Sequence, residues 1–565
     1  MQTLHDRADT SPLETYRRYC REGKLAYQVD PATGRAVFFP RLVAPGTGST
    51  GLQWRTSAGL GTVHATTVCH RKGEASYNLA LVDMDEGFRL LSRVEGIAPE
   101  SVAIGLRVRV TMRDEAEQEA PYPVFVPAEG DAAGQPPSAG PTAGGQAGLP
   151  VSSAGAGSAC AAAPSSASVP AAASGPAPAI RRGAGLRGRI AVVGTAESDL
   201  GEVAPGITPV DLMAQAACRA LDDCGLSLRD VDGVFAATGQ VRLSTLALCQ
   251  YLGIHPRYSD ATVIGGSSFM AHVLHAAAAI EAGLCEVALV AYGSTQRTIG
   301  RSRVRAAEPE PYESPYRPIL PAAAYALATS RYFREFGATR EQLAEVAVAA
   351  RQWALLNPAA WEKEPLTVEQ VLGARMVCDP LTVRDCCLVT DGGGAIVLTS
   401  AERARSLKRP PAYVLGAGEA LSHQNIACME NLTTTAAVES GRRAYEMAGV
   451  SARDVDVAQL YDAFTITPIL FLEDLGFCPK GEGARFVGGG RIAPGGELPL
   501  NTNGGGLSYC HPGMYGLLAL IEAVRQVQGV AGKRQVAKCD VALAHGNGGV
   551  LSSQSTVILG GEAAL

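Results

Sequence analysis

Apolar positions recur at helical spacing in PLETYRRYCREGKL (12–25), then give way to short alternating runs in GLGTVHATTVCHR, YNLALVDMDEGFRLLSRVEG and GLRVRVTMRDE. That pattern predicts one amphipathic helix, then strands about every ten residues with glycines at the turns, as in a small β-barrel. Past residue 187 the period changes. GRIAVVGTAES reads as a buried strand, TPVDLMAQAACRALDDCG as an amphipathic helix and VDGVFAATG as another strand. Strand and helix in alternation predict an α/β unit with helices covering a sheet.

Between the two pieces the pattern vanishes. Residues 128–186 are nearly all Ala, Gly, Ser and Pro, with almost no large apolar side chains. Such a stretch cannot offset its ordering entropy by burial. It is expected to be a disordered tether with an end-to-end distance on the order of 40 Å. The second piece also repeats itself. ACRALDDCGLSLRDVDGV (217–234) matches GRRAYEMAGVSARDVDVA (441–458), and AVVGTAE (191–197) recurs as YVLGAGE (413–419). GGSSFMAHVLHAAAAIEAG (265–283) has its counterpart in GGLSYCHPGMYGLLALIEA (505–523). The chain therefore divides into an N-terminal helix with its following loops (1–50), a barrel (51–127), the tether (128–186) and two similar α/β halves (187–405 and 406–565), with a site expected where the halves meet.

Composition narrows the function. A net charge of −6 and a pI near 5.9 give no electrostatic reason to expect nucleic acid or an anionic membrane. No apolar run reaches the roughly 18–20 residues that span a bilayer. The N-terminus shows no signal-like apolar region. Fourteen scattered cysteines, without a C-x-x-C, fit a reducing compartment. The expectation is a soluble cytoplasmic enzyme.

Four stretches carry a resemblance. CLVTDGGGAIVLTSAERA (387–404) closes the first half, YDAFT spans 461–465, CHPG 510–513 and HGNGG 545–549. Together with the duplication they resemble the thiolase superfamily, in its sterol-carrier/lipid-transfer branch, over about residues 187–563. The resemblance implies two βαβαβαββ halves layered αβαβα, and a homodimer paired through that fold. The N-terminal piece resembles the OB-fold domain that partners thiolase-like proteins in acyl-CoA chemistry. Members of that family carry a zinc ribbon before the barrel. Here Asp30, Thr33, Ala44 and Thr47 stand where its four thiolates belong, so no metal is expected. The two domains are often separate polypeptides, and their fusion points to one working complex.

A thiolase uses a cysteine at the N-terminus of a buried helix, where the helix dipole lowers its pKa. By the resemblance that position is Gly266, with Ser267 and Ser268 beside it. The second thiolase cysteine is replaced by His545. Tyr461 takes the Asn place of Asn-Glu-Ala-Phe, and His511 the His place of Gly-His-Pro. Tyr515 follows His511 at i+4, on the same face if a helix has begun there. Histidine and phenols without a nucleophile suit proton transfer and enolate stabilisation.

That constellation resembles the thiolase-like aldolases of bacterial steroid side-chain degradation. It implies retro-aldol cleavage of a β-hydroxyacyl-CoA to a ketone and a short acyl-CoA, with no cofactor beyond the CoA of the substrate. Tyr461 and Tyr515 are then acid/base candidates, His511 an oxyanion or relay group and His545 a second base or orienter. Gly266, Ser267 and Gly548 are candidates for lining the substrate. A condensing acyltransferase using Ser267 or a partner's thiol, and a non-catalytic acyl-CoA or lipid carrier, are the alternatives. Tyr509 competes with Tyr515. Asp462, His272 and His275 read as structural.

Overall fold

The computed structural model describes residues 11–128, 185–300 and 310–565. The stretch read as a tether falls almost wholly on 129–184, outside the described residues. Helix α1 (Pro12–Arg21) starts at Ser11, whose hydroxyl accepts from Glu14 N–H at 3.4 Å, and turns Tyr16 and Cys20 inward. Strands β1 (Ala26–Val29), β2 (Ala36–Val37) and β3 (Gln53–Thr56) form an antiparallel sheet in the order β2-β1-β3. Three of the four ribbon positions come together below it. The Asp30 carboxylate accepts from Ala32 N–H (3.0 Å), Thr33 Oγ1 (3.0 Å) and Thr47 Oγ1 (2.9 Å). Hydrogen bonds thus tie together two loops that a metal would otherwise cross-link.

The barrel strands follow: β4 (Leu60–Cys69), β5 (Tyr77–Met84), β6 (Arg89–Ser92), β7 (Arg107–Arg113) and β8 (Tyr122–Pro127). Strand β4 alternates buried and half-buried positions through most of its length, as its sequence does. Strand β8 lies outside the alternating runs. It pairs along its length with β7, and on its other side Phe125 N–H donates to Arg93 O at 2.9 Å while Phe125 O accepts from Glu95 N–H at 2.7 Å, so Pro123 and Pro127 flank the one residue bonded there.

The second piece begins β9 (Ile190–Glu197), α2 (Pro209–Cys224), β10 (Gly233–Ala236), β11 (Tyr258–Asp260), α3 (Ser268–Glu281), β12 (Val287–Ser294) and α4 (Ala322–Phe336). Two short strands, β13 (Met376–Cys378) and β14 (Leu381–Thr382), then leave this unit and extend the barrel sheet, with Cys378 opposite Cys69. Neither was legible as a barrel strand. More contacts seal the junction: Tyr316 Oη donates to Pro123 O at 2.6 Å, Arg89 Nη1 to Met429 O at 3.0 Å and Thr67 Oγ1 to Asp379 O at 2.7 Å. The barrel docks on the α/β unit of its own chain.

Strand β15 (Gly392–Ser400) completes the first half. The second runs β16 (Ala412–Leu421), α5 (Ala437–Ala448), β17 (Val457–Leu460), α6 (Ile466–Asp474), α7 (Gly516–Val527), β18 (Val541–Gly548) and β19 (Ser553–Gly560). Nine strands join in the order β11-β10-β12-β15-β9-β16-β19-β18-β17. The halves meet at β9 and β16, the repeated AVVGTAE and YVLGAGE segments, through Ala191↔Tyr413 and Val192↔Ala412. The repeat extends to its caps. Helices α2 and α5 both end on a left-handed glycine, Gly225 (φ 79°) and Gly449 (φ 66°). Both are followed by a Ser-x-x-Asp capping box, at Ser227/Asp230 and Ser451/Asp454.

Helices α3 and α7 touch each other and strands of both halves, while α2 and α5 cover the outer faces. This is the αβαβα layering. The central pair is largely buried, and the polar residues of α7 are matched inside: Glu522 to Arg534, Arg525 to Glu197 and Gln526 to Thr502. Among the described residues no helix is long and apolar enough to cross a membrane.

Candidate active site

The site is assembled where YDAFT leaves β17 and where residues 503–516 approach α7. Leu460 N–H donates to Asn501 Oδ1 at 2.7 Å and Tyr461 N–H to His545 O at 3.0 Å, which fixes the end of the strand. Asp462, fully buried, accepts from Gly506 N–H (2.6 Å) and Leu507 N–H (3.2 Å), so it organises the turn at 505–509. His511 N–H is held by Thr390 Oγ1 at 3.0 Å. Tyr292 Oη bonds Pro512 O and accepts from Met514 N–H at 3.0 Å. Gly513 has φ +101°, which a side chain would strain.

The helix does not begin at His511. It starts at Gly516 with Tyr515 as its N-cap residue. The expectation of a helical i, i+4 pair is therefore corrected, because Pro512 and Gly513 hold the chain in a loop. The two rings nevertheless lie near each other, 6.4 Å between centroids and 19° from parallel, with Tyr461 set edgewise against both.

Tyr461 Oη is the hub. It lies 3.0 Å from His511 Nε2, 3.3 Å from Gly513 O, and accepts from Tyr515 N–H at 3.1 Å. Burial pushes the His511 imidazole down to about 4. Burial also raises the Tyr461 phenol well above its ordinary value, and the Tyr515 N–H opposes that rise. At neutral pH the pair is a neutral phenol bonded to a neutral imidazole. The Tyr515 hydroxyl points elsewhere, donating to Asn503 Oδ1 at 2.8 Å. What Tyr515 offers Tyr461 is its backbone N–H.

Gly266 explains why no nucleophile stands here. A Cβ at this position would lie 2.0 Å from Cε2 of Tyr461 and 2.8 Å from Asn547 O. The Tyr461 ring fills the space a cysteine side chain would need. At Gly548 a Cβ would meet Ile264 O at 1.7 Å, so its backbone packs against the 264–267 loop. Ser267 is fully buried, its hydroxyl donating to Ile264 O at 2.8 Å and lying 2.7 Å from Ser553 Oγ. No base reaches it among these partners.

His545 stands apart from this cluster. Its Nδ1 pairs with Thr556 Oγ1 and its Nε2 with Gln554 Oε1, each at 2.9 Å, and its ring packs edgewise on Phe471 of α6. Alternation along β18 accounts for this, because a Cβ on neighbouring Gly546 would meet Ser267 Cα at 2.8 Å, on the side of α3. Tyr509 is also turned away, onto Glu197 at 3.0 Å, which Arg525 grips with both terminal nitrogens.

Asp462, read as structural, does organise this turn, and burial raises its carboxyl to about 7. Two further contributors lie outside the expected set. Tyr292 and Asn503 hold the loop and Tyr515, and nothing local to either residue signals that. A second polar chain runs from Gln554 Nε2 to Asn547 Oδ1 (2.9 Å) and from Asn547 Nδ2 to Tyr325 Oη (2.8 Å).

The fold and site define a thiolase-type α/β protein with a small barrel on the same chain and a phenol–imidazole pair in place of the nucleophile. The thiolase C-terminal domain-like family matches residues 418–561, and the ChsH2 C-terminal OB-fold domain matches 54–113. Over 365 residues the chain is 33% identical to the 17-hydroxy-3-oxo-4-pregnene-20-carboxyl-CoA lyase of Mycobacterium tuberculosis, covering 61% of this chain and 93% of that one. It is also 33% identical over 365 residues to the steroid side-chain-cleaving aldolase of Thermomonospora curvata, covering 61% of this chain and 92% of that one. The solved Ltp2-ChsH2(DUF35) aldolase superposes with a TM-score of 0.61 at 31% identity, over 67% of this chain and 99% of that one. The chain belongs to the thiolase superfamily, in the lipid-transfer branch that includes these aldolases.

Proposed function

We propose that this protein is a carbon–carbon lyase that cleaves a β-hydroxyacyl-CoA by retro-aldol reaction. The observation that carries the reading is Tyr461 seated against Gly266 with its hydroxyl 3.0 Å from His511 Nε2. Tyr461 takes the proton of the substrate β-hydroxyl as it passes its own to His511, so no free phenolate forms. The β-carbon becomes a carbonyl, the Cα–Cβ bond breaks and its electron pair moves into the thioester as an enolate. Protonation at Cα through the same relay releases the shortened acyl-CoA. No water, free CoA or redox partner enters this balance, and no cofactor is required beyond the CoA of the substrate.

The substrate class follows the relatives: a steroid or similar fused-ring acyl-CoA with a tertiary β-alcohol, giving a ring ketone and a short acyl-CoA. The protein acts as a cytoplasmic homodimer. Exposed Leu243, Leu246 and Val263 near the β11 edge of the sheet support such a pairing.

The direct test is incubation with a β-hydroxyacyl-CoA in the absence of free CoA. Ketone and shortened acyl-CoA should appear in equal amounts. Turnover that requires free CoA would mean thiolysis and would overturn the reading.

A further inference from the structure

A cavity of about 180 Å³ lies where the barrel meets the α/β unit. Leu79 of β5 and Leu91 of β6 line it from one side, Ala324 and Leu327 of α4 from another, and Gly549 and Val550 close it just beyond β18. Cavities of about 150 Å³ with such walls hold a benzene ring, so one ring of a larger ligand fits.

Gln424 and Asn425 add amides to this mostly apolar lining, and one carboxyl, that of Glu313, also lines it. Its residue is 3% exposed and its Oε1 meets no hydrogen-bond partner among the described residues. A buried polar atom left unpaired is costly, and a ligand atom that pairs it recovers that cost. The backbone around it is fixed, with Glu313 N–H donating to Glu310 O at 2.8 Å and Tyr316 N–H to Glu313 O at 3.1 Å. Burial, then the neighbouring Glu310, raises the carboxyl to about 7, so near neutrality it can donate as well as accept.

A chain of contacts runs from the cavity wall toward Gly266. Tyr325, between Ala324 and Leu327 in sequence terms, donates to Gly549 O at 3.4 Å and accepts from Asn547 Nδ2 at 2.8 Å. Asn547 O in turn borders the Gly266–Tyr461 contact. Resting on the reading of the substrate as a fused-ring β-hydroxyacyl-CoA, we propose that this cavity seats the ring farthest from the thioester and that Glu313 hydrogen-bonds an oxygen on that ring. Glu313 is then a specificity-determining residue at a boundary that exists only because the barrel is docked.

The test uses the full chain and binding alone. Two saturated acyl-CoA thioesters of the same fused-ring acid, identical save for a ketone on the distal ring, are titrated beside free CoA. The wild type should prefer the keto ligand by at least about tenfold, because a site built around a buried polar group rejects the analogue that leaves it unpaired. Glu313→Leu should bring the ratio near one, Glu313→Met should repeat that result if Leu disturbs packing, and Glu313→Gln should keep most of the preference. A wild-type ratio near one, a preference that survives in the Leu and Met variants, or an equal loss for free CoA overturns the proposal. Neither thioester carries the β-hydroxyl, so the ratio is independent of turnover. An intact ratio without cleavage of a hydroxy substrate would refute the reaction and leave the site standing.

Discussion

Two histidines of this chain are equally buried in electrostatic terms and chemically opposite. His511 and His545 are both pushed down to about 4 by burial. His545 has each ring nitrogen matched to a neutral side chain and no exposed surface. His511 has one nitrogen turned to a phenol, sits on a loop held by Thr390 and Tyr292, and keeps 7% of its surface open. Burial alone therefore does not mark a catalytic histidine. What separates the two is whether the partner can itself exchange a proton.

The sharpest break of that comparison is Tyr461→Phe. It should lower kcat/KM by roughly 10²–10⁴-fold, the usual range for a lost acid–base group, while saturated acyl-CoA binding changes little. Steady-state cleavage assays beside a binding titration read both. Gly266→Ala comes next. Its methyl would overlap the Tyr461 ring, and a displacement of about 1 Å costs on the order of 10²-fold. Gly266→Cys should show the same loss without gaining CoA-dependent thiolysis.

Tyr515→Phe leaves the N–H on Tyr461 in place and removes only the bond to Asn503. We expect less than about a tenfold loss in kcat and about 1 kcal/mol of stability, read by denaturant unfolding. His545→Gln should change kcat/KM least, within about threefold, and register instead in stability. The folded pKa of His545 lies near 4, below the ordinary 6.5, so the folded protein holds fewer protons than the unfolded chain. That stability is whole above pH 6.5 and is lost as pH falls toward 4. The wild type should therefore lose more of its melting temperature between pH 7 and 4.5 than the Gln variant does. For His511 the same depression appears in kinetics. The acid limb of kcat/KM should fall near pH 4 rather than 6.5. A limb at 6.5 would mean that the relay histidine is exposed to water.

Much of the architecture was legible in the chain. The Ser-x-x-Asp caps after Gly225 and Gly449 are local, so the duplication could be read directly from one strand of text. The glycines and proline around His511 marked it because unusual backbone is encoded by residue type. Tyr515 was singled out for a spacing that a helix would have imposed, and Pro512 and Gly513 delay that helix. His545 belongs to the expected site because it stands at the place of the second thiolase cysteine, within β18. On a strand the facing of a side chain reverses with each residue, and only the sheet's neighbours decide which face is which.

By itself the sequence determined two folded pieces, a duplicated α/β unit and a missing nucleophile, because periodicity, caps and residue identity are local properties. The tertiary structure alone decided that the Tyr461 ring occupies the space beside Gly266, that β13 leaves its own unit to extend the barrel, and that Glu313 lines a cavity between the two pieces. Each depends on surfaces far apart in the chain approaching within a few ångströms. Such contacts are set by how whole layers pack, and no local stretch of residues encodes them.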